Sequence, residues 1–349
     1  MSRRVLISTH GDDLDAKIIA NQLRERGLSV DFFVGTDYPM RSRITHRLGM
    51  QVKTTTSVTT AEAQIDLQGY DVVWWRRYTG FGAVHDLHPD DEELVAADNR
   101  LYARQFPFLL SPGARWINSP AGEIAGSSKV LQLQVAKRAD LRFPDTLVTN
   151  DREEALAFIV DARRRGQSVV FKTAHPHHWQ AGDGAEFRYA YAYTTPVSEA
   201  DLVDESVFRV CAGIFQIRCD SQYEVRAVFM GSDCKAIAFN DASDKGRQLD
   251  SRRAPSRPEQ ARRHMLPMNV HQRCADLLRE LGLVFGSIDL LVDADGEYVF
   301  LEINPQGQFL WMDDVCPGLD VKRAFCDFVE CGVEQRHQAS RDVVADLSA

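Results

Sequence analysis

The sequence predicts an α/β fold, in the broad sense that includes α+β arrangements, and three observations support this prediction. In the first third of the chain, short apolar runs alternate with an amphipathic helical segment, as in Rossmann-like units. Towards the other end, two apolar runs flank an Asp-Gly dipeptide, which is a strong signal for a β-hairpin. The chain has 349 residues, which is long for one core and indicates two or three domains.

The composition is that of an ordinary globular protein. Hydrophobic residues make up 44% of the chain and charged residues 26%, and the formal net charge is -9. This acidic balance argues against a nucleic-acid-binding surface. No apolar run approaches the ~20 residues of a membrane span. We therefore expect neither nucleic acid nor a membrane as a partner.

Cysteine usage and the first residues predict a cytoplasmic location. The seven cysteines contain no CxxC pair, so neither a zinc site nor a disulfide framework is expected. We interpret them as reduced, mostly buried thiols. The start, MSRRVLIST, has no signal-peptide pattern.

Residues 1–118 are predicted to form an N-terminal α/β unit. Strands are expected at Val5–Ile7, Val30–Val34 and Asp71–Trp75. A helix capped by Asp12 is expected between the first two strands, and Gly27 ends it. No GxGxxG motif is present, so a dinucleotide site is poorly supported.

Arg76 and Arg77 directly follow the third predicted strand. Ligand sites of parallel sheets form at the carboxyl ends of the strands, so both arginines are candidate substrate-binding residues. The alternative is a solvated basic pair without a binding role.

Two lysines stand where a positive charge needs an anion. Lys129 falls in the first turn of a helix predicted at Gly126–Ala139, capped by Ser127, and a cation there opposes the helix dipole unless an anion binds. Lys172 lies near the end of the apolar strand Ser168–Thr173, where burial costs energy without a counter-ion. Taken alone, Lys129 would be only a surface lysine.

Pattern and turn residues predict the other elements of the middle and the second half of the chain. Strands are expected at Phe143–Val148, Phe187–Thr195 and Tyr223–Val228, and helices at Asp151–Arg165, Met268–Leu281 and Leu319–Val329. Three segments are predicted to be irregular: a mobile flap at His175–Glu186, a polar loop at Ala242–Arg253 and a linker at Ala254–Glu259. Glu224 and Arg226 share one strand face, where a cross-strand ion pair is one interpretation.

The hairpin Gly286–Gln308 carries the most informative residues. If Asp295 and Gly296 form a two-residue loop, Asp289 lies directly opposite Glu302. One face is then fully apolar, formed by Ile288, Leu290, Val292, Val299, Leu301 and Ile303. The other carries Asp289, Glu302 and Asn304 at one end, with Leu291 and Phe300 beside them.

The opposed carboxylates predict a magnesium site. Two such charges at ~5 Å repel by about 3 kcal/mol at an effective dielectric constant of ~20. The apolar surroundings indicate a largely buried hairpin, where this repulsion is least screened. A divalent cation removes it, and Asp, Glu and Asn oxygens are the hard ligands that Mg²⁺ prefers. The alternative is an exposed hairpin end with solvated charges.

These residues resemble the metal-binding signature of ATP-grasp ligases, in which an aspartate is followed by a Glu-x-Asn pair, here Asp289, Glu302 and Asn304. The stretch EINPQGQFLW is most similar to the ATP-grasp enzymes that cross-link ribosomally made peptides, the microviridin-type or graspetide synthetases. The segments YEVR, WWRR and DSR add to this resemblance, which covers nearly the whole chain.

The resemblance implies an ATP-grasp fold with an N-terminal Rossmann-like pre-ATP-grasp domain. The domains would be an N-terminal domain at 1–118, a central lobe at 119–212, a C-terminal lobe at 213–334 and a frayed tail at 335–349.

The resemblance also implies residue roles. Lys129 and Lys172 would bind the phosphates of ATP, and the backbone of Gln216 and Ile217 would read the adenine. Leu291 and Phe300 would line the nucleotide site, while Asp289, Glu302 and Asn304 would hold Mg²⁺. Arg226 and Arg252 would compensate the charge that develops on the transferred phosphoryl group.

The implied activity is ATP-dependent cross-linking of a precursor peptide that carries a leader segment. Asp or Glu side chains would be activated as acyl phosphates and joined to Ser or Thr hydroxyls or to Lys amines, by an enzyme expected to be a homodimer. One alternative is an ATP-grasp ligase of free amino acids or of a protein C-terminus, as in glutathione-synthetase-like enzymes. Another is a non-catalytic protein that binds a nucleotide or a peptide.

Overall fold

The computed structural model describes residues 3–111, 113–174, 178–181, 188–191, 193–239 and 261–332. The predicted polar loop Ala242–Arg253, which contains Arg252, and the predicted linker Ala254–Glu259 lie outside these residues. Of the predicted flap His175–Glu186, only residues 178–181 fall within them, and they form a strand. None of the described helices is long and apolar enough to cross a membrane.

The N-terminal part contains a parallel sheet and a small antiparallel sheet. In chain order its elements are β1 (Arg4–Thr9), α1 (Leu14–Glu25), β2 (Ser29–Val34), β3 (Arg43–Gly49), β4 (Val52–Thr59), β5 (Gln64–Asp66), β6 (Val72–Trp75), α2 (Pro89–Gln105) and β7 (Arg115–Ile117). The parallel sheet has the strand order β2-β1-β6-β7, and β3, β4 and β5 form the antiparallel sheet. The predicted alternation of strands and helix is therefore present.

The first helix begins one residue later than predicted. Asp13, not Asp12, is its N-cap, because the Asp13 carboxylate accepts a hydrogen bond from the Ala16 amide at 3.2 Å. The same carboxylate accepts a hydrogen bond from the Thr9 hydroxyl at 2.7 Å, which joins the cap to the end of β1. Gly27 follows the helix with φ = 83°, a conformation that favours glycine.

The antiparallel sheet and α2 have weak sequence signals. The strand β4 has the sequence VKTTTSVT, in which threonines replace the apolar residues of a regular alternation. The helix α2 buries only Ala103 fully, so its sequence lacks a strong apolar stripe. Neither element follows from hydrophobic periodicity.

The middle of the chain forms a second sheet and its helices. In chain order the elements are α3 (Pro120–Ser127), α4 (Lys129–Arg138), β8 (Thr146–Thr149), α5 (Arg152–Arg164), β9 (Val169–Lys172), β10 (His178–Ala181), β11 (Arg188–Tyr191), β12 (Thr195–Val197), α6 (Glu205–Arg209) and β13 (Gly213–Ile217). The larger sheet has the strand order β12-β9-β13-β8, and β10 pairs with β11.

The helix predicted at Gly126–Ala139 is interrupted. Ser128 lies between α3 and α4, and its hydroxyl accepts a hydrogen bond from the Leu131 amide at 3.4 Å. Ser128 is therefore the N-cap of α4 in place of the predicted Ser127, and Lys129 is the first residue of the new helix.

The C-terminal part is a five-stranded sheet packed against helices. Its elements are β14 (Tyr223–Met230), β15 (Asp233–Phe239), β16 (Ala261–His264), α7 (Met268–Glu280), β17 (Phe285–Val292), β18 (Tyr298–Asn304) and α8 (Trp311–Val315), and residues 321–332 are helical as well. The strand order is β16-β15-β14-β17-β18, with antiparallel pairs throughout.

One hydrophobic core joins the N-terminal sheet to the C-terminal part. The ring of Trp74, in β6, lies 4.7 Å from that of Phe325, in the helix of residues 321–332. A second core lies between the five-stranded sheet and the helices α4 and α7. The first core brings the carboxyl ends of the parallel strands close to the hairpin.

The hairpin β17–β18 is present, but its predicted register is only partly correct. Val292 pairs with Tyr298 and Leu290 with Phe300, so the loop has three residues, 294–296, instead of two. An irregularity beside Asp289 then inserts Leu301 as an extra residue and restores the pairing of Asp289 with Glu302. The predicted pair of carboxylates is therefore correct, because the loop and the bulge compensate for each other.

The bulge also changes the predicted faces of the hairpin. Phe300 lies with Leu290 in the core that contacts α7 and is fully buried. Val299 pairs with Leu291 instead, so these two residues share the face of Asp289. The predicted placement of Phe300 beside the carboxylates, and of Val299 on the apolar face, is wrong for this reason.

Candidate functional site

Two ion pairs organise the acidic end of the hairpin. The Nζ atom of Lys129 donates to Oε2 of Glu302 at 2.8 Å, although 173 residues separate them in sequence. The Nε atom of Arg226 lies 2.7 Å from Oδ1 of Asp289, its direct partner across β14 and β17. The cross-strand interpretation of Arg226 is therefore correct for its contact with Asp289.

The fold explains why these four side chains meet. Asp289, Glu302 and Arg226 occupy neighbouring strands at one level of the sheet. Lys129 reaches this level because it is the first residue of α4, directly after the N-cap Ser128, and α4 packs against β18. The side chains of Asp289 and Glu302 remain 26% and 41% exposed, so they face an open cleft.

The two carboxyl groups have opposite pKa shifts. The pKa of Asp289 is raised, mainly because protein atoms enclose its carboxyl group. The charge of Arg226 acts to lower this pKa, and the charge of Glu302 acts to raise it. Enclosure also acts to raise the pKa of Glu302, but the charge and hydrogen bond of Lys129 outweigh it, so the net shift is downward. The charge of Lys172 also acts to lower the pKa of both groups.

Lys172 is held by a side chain of the neighbouring strand. Its Nζ atom donates to Oε1 of Gln216 at 2.8 Å, and Nε2 of Gln216 donates to Oγ1 of Thr146 at 2.9 Å. Gln216 is 4% exposed. This arrangement fixes the amide of Gln216 so that its oxygen faces the ammonium group.

The predicted adenine contacts of Gln216 and Ile217 find limited support in the backbone. Both residues lie in β13, which has β8 on one side and β9 on the other. The Ile217 amide already donates to the Asp145 carbonyl at 2.9 Å. That N–H group is thus engaged within the protein, and the role found for Gln216 belongs to its side chain.

The donor set fits a magnesium ion that completes its coordination elsewhere. Asp289 and Glu302 supply two carboxylates, and Asn304 lies on the same face of β18, two residues beyond Glu302. Among the described residues, no group of three or more His, Cys, Asp or Glu side chains is arranged to hold a metal. Mg²⁺ commonly takes one or two carboxylates together with substrate phosphates, which matches this sparse set.

Arg76 does not have the accessibility that substrate binding needs. It is 1% exposed, with Nε 2.7 Å from Oδ2 of Asp13 and Nη2 3.1 Å from Oδ2 of Asp15. Its guanidinium group also lies over the Trp74 ring, 5.1 Å from the centroid. The candidate assignment is corrected on this ground: Arg76 ties the start of α1 to the end of β6.

Arg77 leads to a group of residues that the sequence did not indicate. The Arg77 amide donates to Oε1 of Gln306 at 2.8 Å, and Nε2 of Gln306 donates to Oε2 of Glu123 at 2.8 Å. The other oxygen of Glu123 accepts from Nδ2 of Asn118 at 3.0 Å. These hydrogen bonds link the end of β6 to the loop that follows Asn304.

Glu123 is a single glutamate in a helix of small residues, so its sequence carries no signal of this position. It is 7% exposed, and burial raises its pKa to about 7 against the hydrogen bonds from Asn118 and Gln306. In the sequence, only the motif that contains Asn304 and Gln306 indicates that the loop after Asn304 belongs to a site.

Comparison with solved structures identifies the fold. A RiPP-associated ATP-grasp ligase of Chryseobacterium gregarium, in complex with ADP and a leader and core peptide, matches with a TM-score of 0.81 and 25% identity over 93% of this chain and 96% of that chain. The macrocyclase MdnB of Microcystis aeruginosa MRC matches with a TM-score of 0.75 and 25% identity over 93% and 98%. The D-cycloserine synthetase DcsG is more distant, with a TM-score of 0.57 and 14% identity over 95% and 99%.

No family profile matches the sequence, and no curated protein matches it. The similarity is therefore visible in the three-dimensional arrangement and in a few short motifs. It confirms the predicted fold and the predicted resemblance. The chain has the ATP-grasp fold and is similar to the ATP-grasp ligases associated with ribosomally made peptides.

Proposed function

We propose that this protein is an ADP-forming ligase that cross-links a ribosomally made precursor peptide. In this proposal it activates Asp or Glu side chains as acyl phosphates and joins them to Ser or Thr hydroxyls or to Lys amines. The observation that carries the proposal is the pairing of Lys129 with Glu302 and of Arg226 with Asp289 at one level of the sheet. The similarity to a ligase solved with ADP and a leader and core peptide supports the choice of substrate.

The charged groups of the two ion pairs are those that a site for ATP and Mg²⁺ needs. Cations that now neutralise the carboxylates can turn towards phosphate oxygens, while the carboxylates accept a metal ion. Bound Mg²⁺ would neutralise phosphate charge, and Asp289, Glu302 and Asn304 are the residues that would hold it. We assign phosphate binding to Lys129 and Lys172, and we keep Leu291 as a residue lining the nucleotide site.

The chain's own residues mainly position the reactants. A substrate carboxylate attacks the γ-phosphorus of ATP, which releases ADP and forms an acyl phosphate. Arg226 lies beside Asp289 and is placed to compensate the charge on the transferred group. Arg252, which lies outside the described residues, keeps the same proposed role. An amine or hydroxyl then attacks the acyl carbon, and phosphate leaves.

Substrate positioning and assembly are further parts of the proposal. Arg77 remains a candidate for substrate binding, because its backbone is fixed beside the site by Gln306. We also propose that the enzyme is a homodimer in the cytoplasm. Light scattering coupled to gel filtration tests the dimer, and a mass equal to one chain would contradict it.

The test is a reaction with a candidate precursor peptide, such as the product of any short open reading frame found beside the gene. ATP, Mg²⁺ and this peptide should give ADP and a product that has lost one water per cross-link, measured by mass spectrometry. Free amino acids should not stimulate ADP release. Stimulation by free amino acids alone would favour the alternative ligase, and the distant similarity to DcsG keeps that alternative in the experiment.

A further inference from the structure

A cavity of about 1620 Å³ adjoins the acidic end of the hairpin. It lies between the segment of residues 78–87, α2 and α3, and it is larger than the 300–1,000 Å³ typical of small-molecule sites. Exposed apolar side chains, among them Phe108 and Ile124, contribute to its walls. Its size suits a segment of a peptide better than a free amino acid.

Two residues of the cavity wall adjoin the proposed metal and phosphate residues. Gln306 lines the cavity, and its backbone amide donates to Oδ1 of Asn304 at 3.0 Å. Ser127 also lines it and lies two residues before Lys129, which contacts Glu302. The cavity therefore lies beside the residues proposed to bind the metal ion and the phosphates.

The charges of the cavity favour a cation. Four carboxylates line it, from Asp86, Glu92, Glu93 and Glu123, against two guanidinium groups, from Arg100 and Arg104. The excess is negative in a protein whose formal net charge is also negative. A cationic group on a substrate is thus the complementary occupant.

Glu123 differs from Asp13 and Asp289 in the charge of its partners. Asp13 and Asp289 each contact an arginine, whereas the described partners of Glu123 are the neutral amides of Asn118 and Gln306. Each carboxylate oxygen can accept more than one hydrogen bond. The side chain can therefore still accept from a substrate group that enters the cavity.

We propose that this cavity receives the lysine-type amine of the substrate and that Glu123 binds its ammonium group and takes its proton before the amine attacks. The inference rests on the proposed cross-linking function and makes it specific for amide bonds. Glu123 acts on the acceptor, while the lysines and Arg226 act on the carboxylate that is activated.

The proposed step is balanced. The carboxylate of Glu123 accepts one proton from the ammonium group, and the neutral amine forms a C–N bond to the acyl carbon. The bond between that carbon and the phosphate oxygen breaks, and the second proton of the amine leaves with phosphate. Glu123 then returns its proton to solvent. A carboxyl group with a pKa near 7 is suited to this transfer near neutral pH.

Hydroxylamine separates the two halves of the reaction. It is a neutral nucleophile that captures acyl phosphates as hydroxamates without a protein base. The probe is a lysine-containing precursor peptide that wild type cross-links, used with native lysines and with each lysine replaced by glutamine. Wild type, Glu123→Gln and the control Glu25→Gln, an exposed residue at the end of α1, are compared.

We expect Glu123→Gln to form hydroxamate within about threefold of the wild-type rate while amide cross-linking falls by about 100-fold or more, the usual size of a general-base effect. Glu25→Gln should match wild type in both assays. The peptide without lysines should still give hydroxamate but no cross-link.

Three results would overturn the inference while the proposed function survives. They are cross-linking by Glu123→Gln at the wild-type rate, a parallel loss of hydroxamate and cross-link in that variant, and cross-linking of the lysine-free peptide through its hydroxyl groups. If wild type releases no ADP and forms no hydroxamate with the peptide, the proposed function itself fails.

Discussion

Lys172 shows how a single residue is prepared for an anion. Its ammonium group donates to the Gln216 amide oxygen at 2.8 Å, and the hydroxyl of Thr146 sets the orientation of that amide. The charge of the lysine acts to lower the pKa of Asp289, whose net shift is upward, and of Glu302. Phosphate oxygens are the complementary ligands for such a charge.

Lys172→Met should weaken ATP binding. A charge-assisted hydrogen bond contributes about 1.5–3 kcal/mol, so the loss corresponds to roughly a 10- to 100-fold higher dissociation constant. Isothermal titration calorimetry with ATP measures it, and Lys53→Met, at an exposed position in β4, is the control. Equal affinities of the two variants would contradict phosphate binding by Lys172.

Residues with unusual charge placement were predictable from sequence, and residues that act through burial were not. Lys129 and Lys172 stood out because a cation at a helix start or in an apolar strand needs an anion. Glu123 did not stand out, since its hydrogen bond with Gln306 joins residues that are far apart in sequence. Arg76 shows the converse. Its position at the end of a strand suggested substrate binding, but its guanidinium group forms ion pairs with Asp13 and Asp15.

At the scale of elements, the hairpin β17–β18 separates what a dipeptide specifies from what it leaves open. Asp-Gly predicts a hairpin, but both two-residue and three-residue loops place Gly at a left-handed position. Only the pairing shows that the loop spans three residues and that Leu301 is inserted. A bulge has no reliable sequence signal, so the register between the loop and the carboxylate pair could not be derived.

Gly296→Ala should destabilise the protein by about 1 kcal/mol, because an L-residue is strained at the φ of 81° found there. No atom would contact the added methyl group, so the cost is that of the backbone alone. Urea unfolding measures the change, and ATP turnover should persist. Gly11→Ala, where a methyl group also meets no atom and φ is not left-handed, should be nearly neutral. A similar loss in both variants would contradict the left-handed turn.

At the scale of the whole molecule, Asn118 joins the N-terminal sheet to the hairpin. Its side-chain oxygen accepts from the amides of Val284 and Phe285, both at 2.9 Å. Its amide nitrogen donates to the carbonyls of Phe285 and Pro305 and to Glu123. One buried side chain thus connects β7, β17 and the loop after Asn304.

Asn118→Ala should lower the free energy of unfolding by about 3–5 kcal/mol, because several buried backbone groups would lose their partners at once. Denaturant unfolding measures this change. Asn21→Ala, at an exposed position of α1, should change it by less than about 0.5 kcal/mol. A loss below about 1 kcal/mol for Asn118→Ala would show that other contacts hold the two parts together.

The division of the chain into domains at 118, 212 and 334 remains a proposal. The pairing of β14 with β17, and the core shared by Trp74 and Phe325, show that sequence-distant parts pack together. Short-range patterns predicted most of the strands but not this packing, because it depends on contacts between residues that are far apart in sequence.

The central claim is that Asp289, Glu302 and Asn304 hold the Mg²⁺ that accompanies the nucleotide. Calorimetric titration of ADP with and without Mg²⁺ tests it most directly, in wild type, in Glu302→Gln and in the control Glu297→Gln, which lies at the hairpin turn. Wild type and the control should bind ADP at least about tenfold more tightly with Mg²⁺. Glu302→Gln should fold, lose this difference and lose Mg²⁺-dependent turnover. An unchanged effect of Mg²⁺ on ADP affinity in Glu302→Gln would contradict the account.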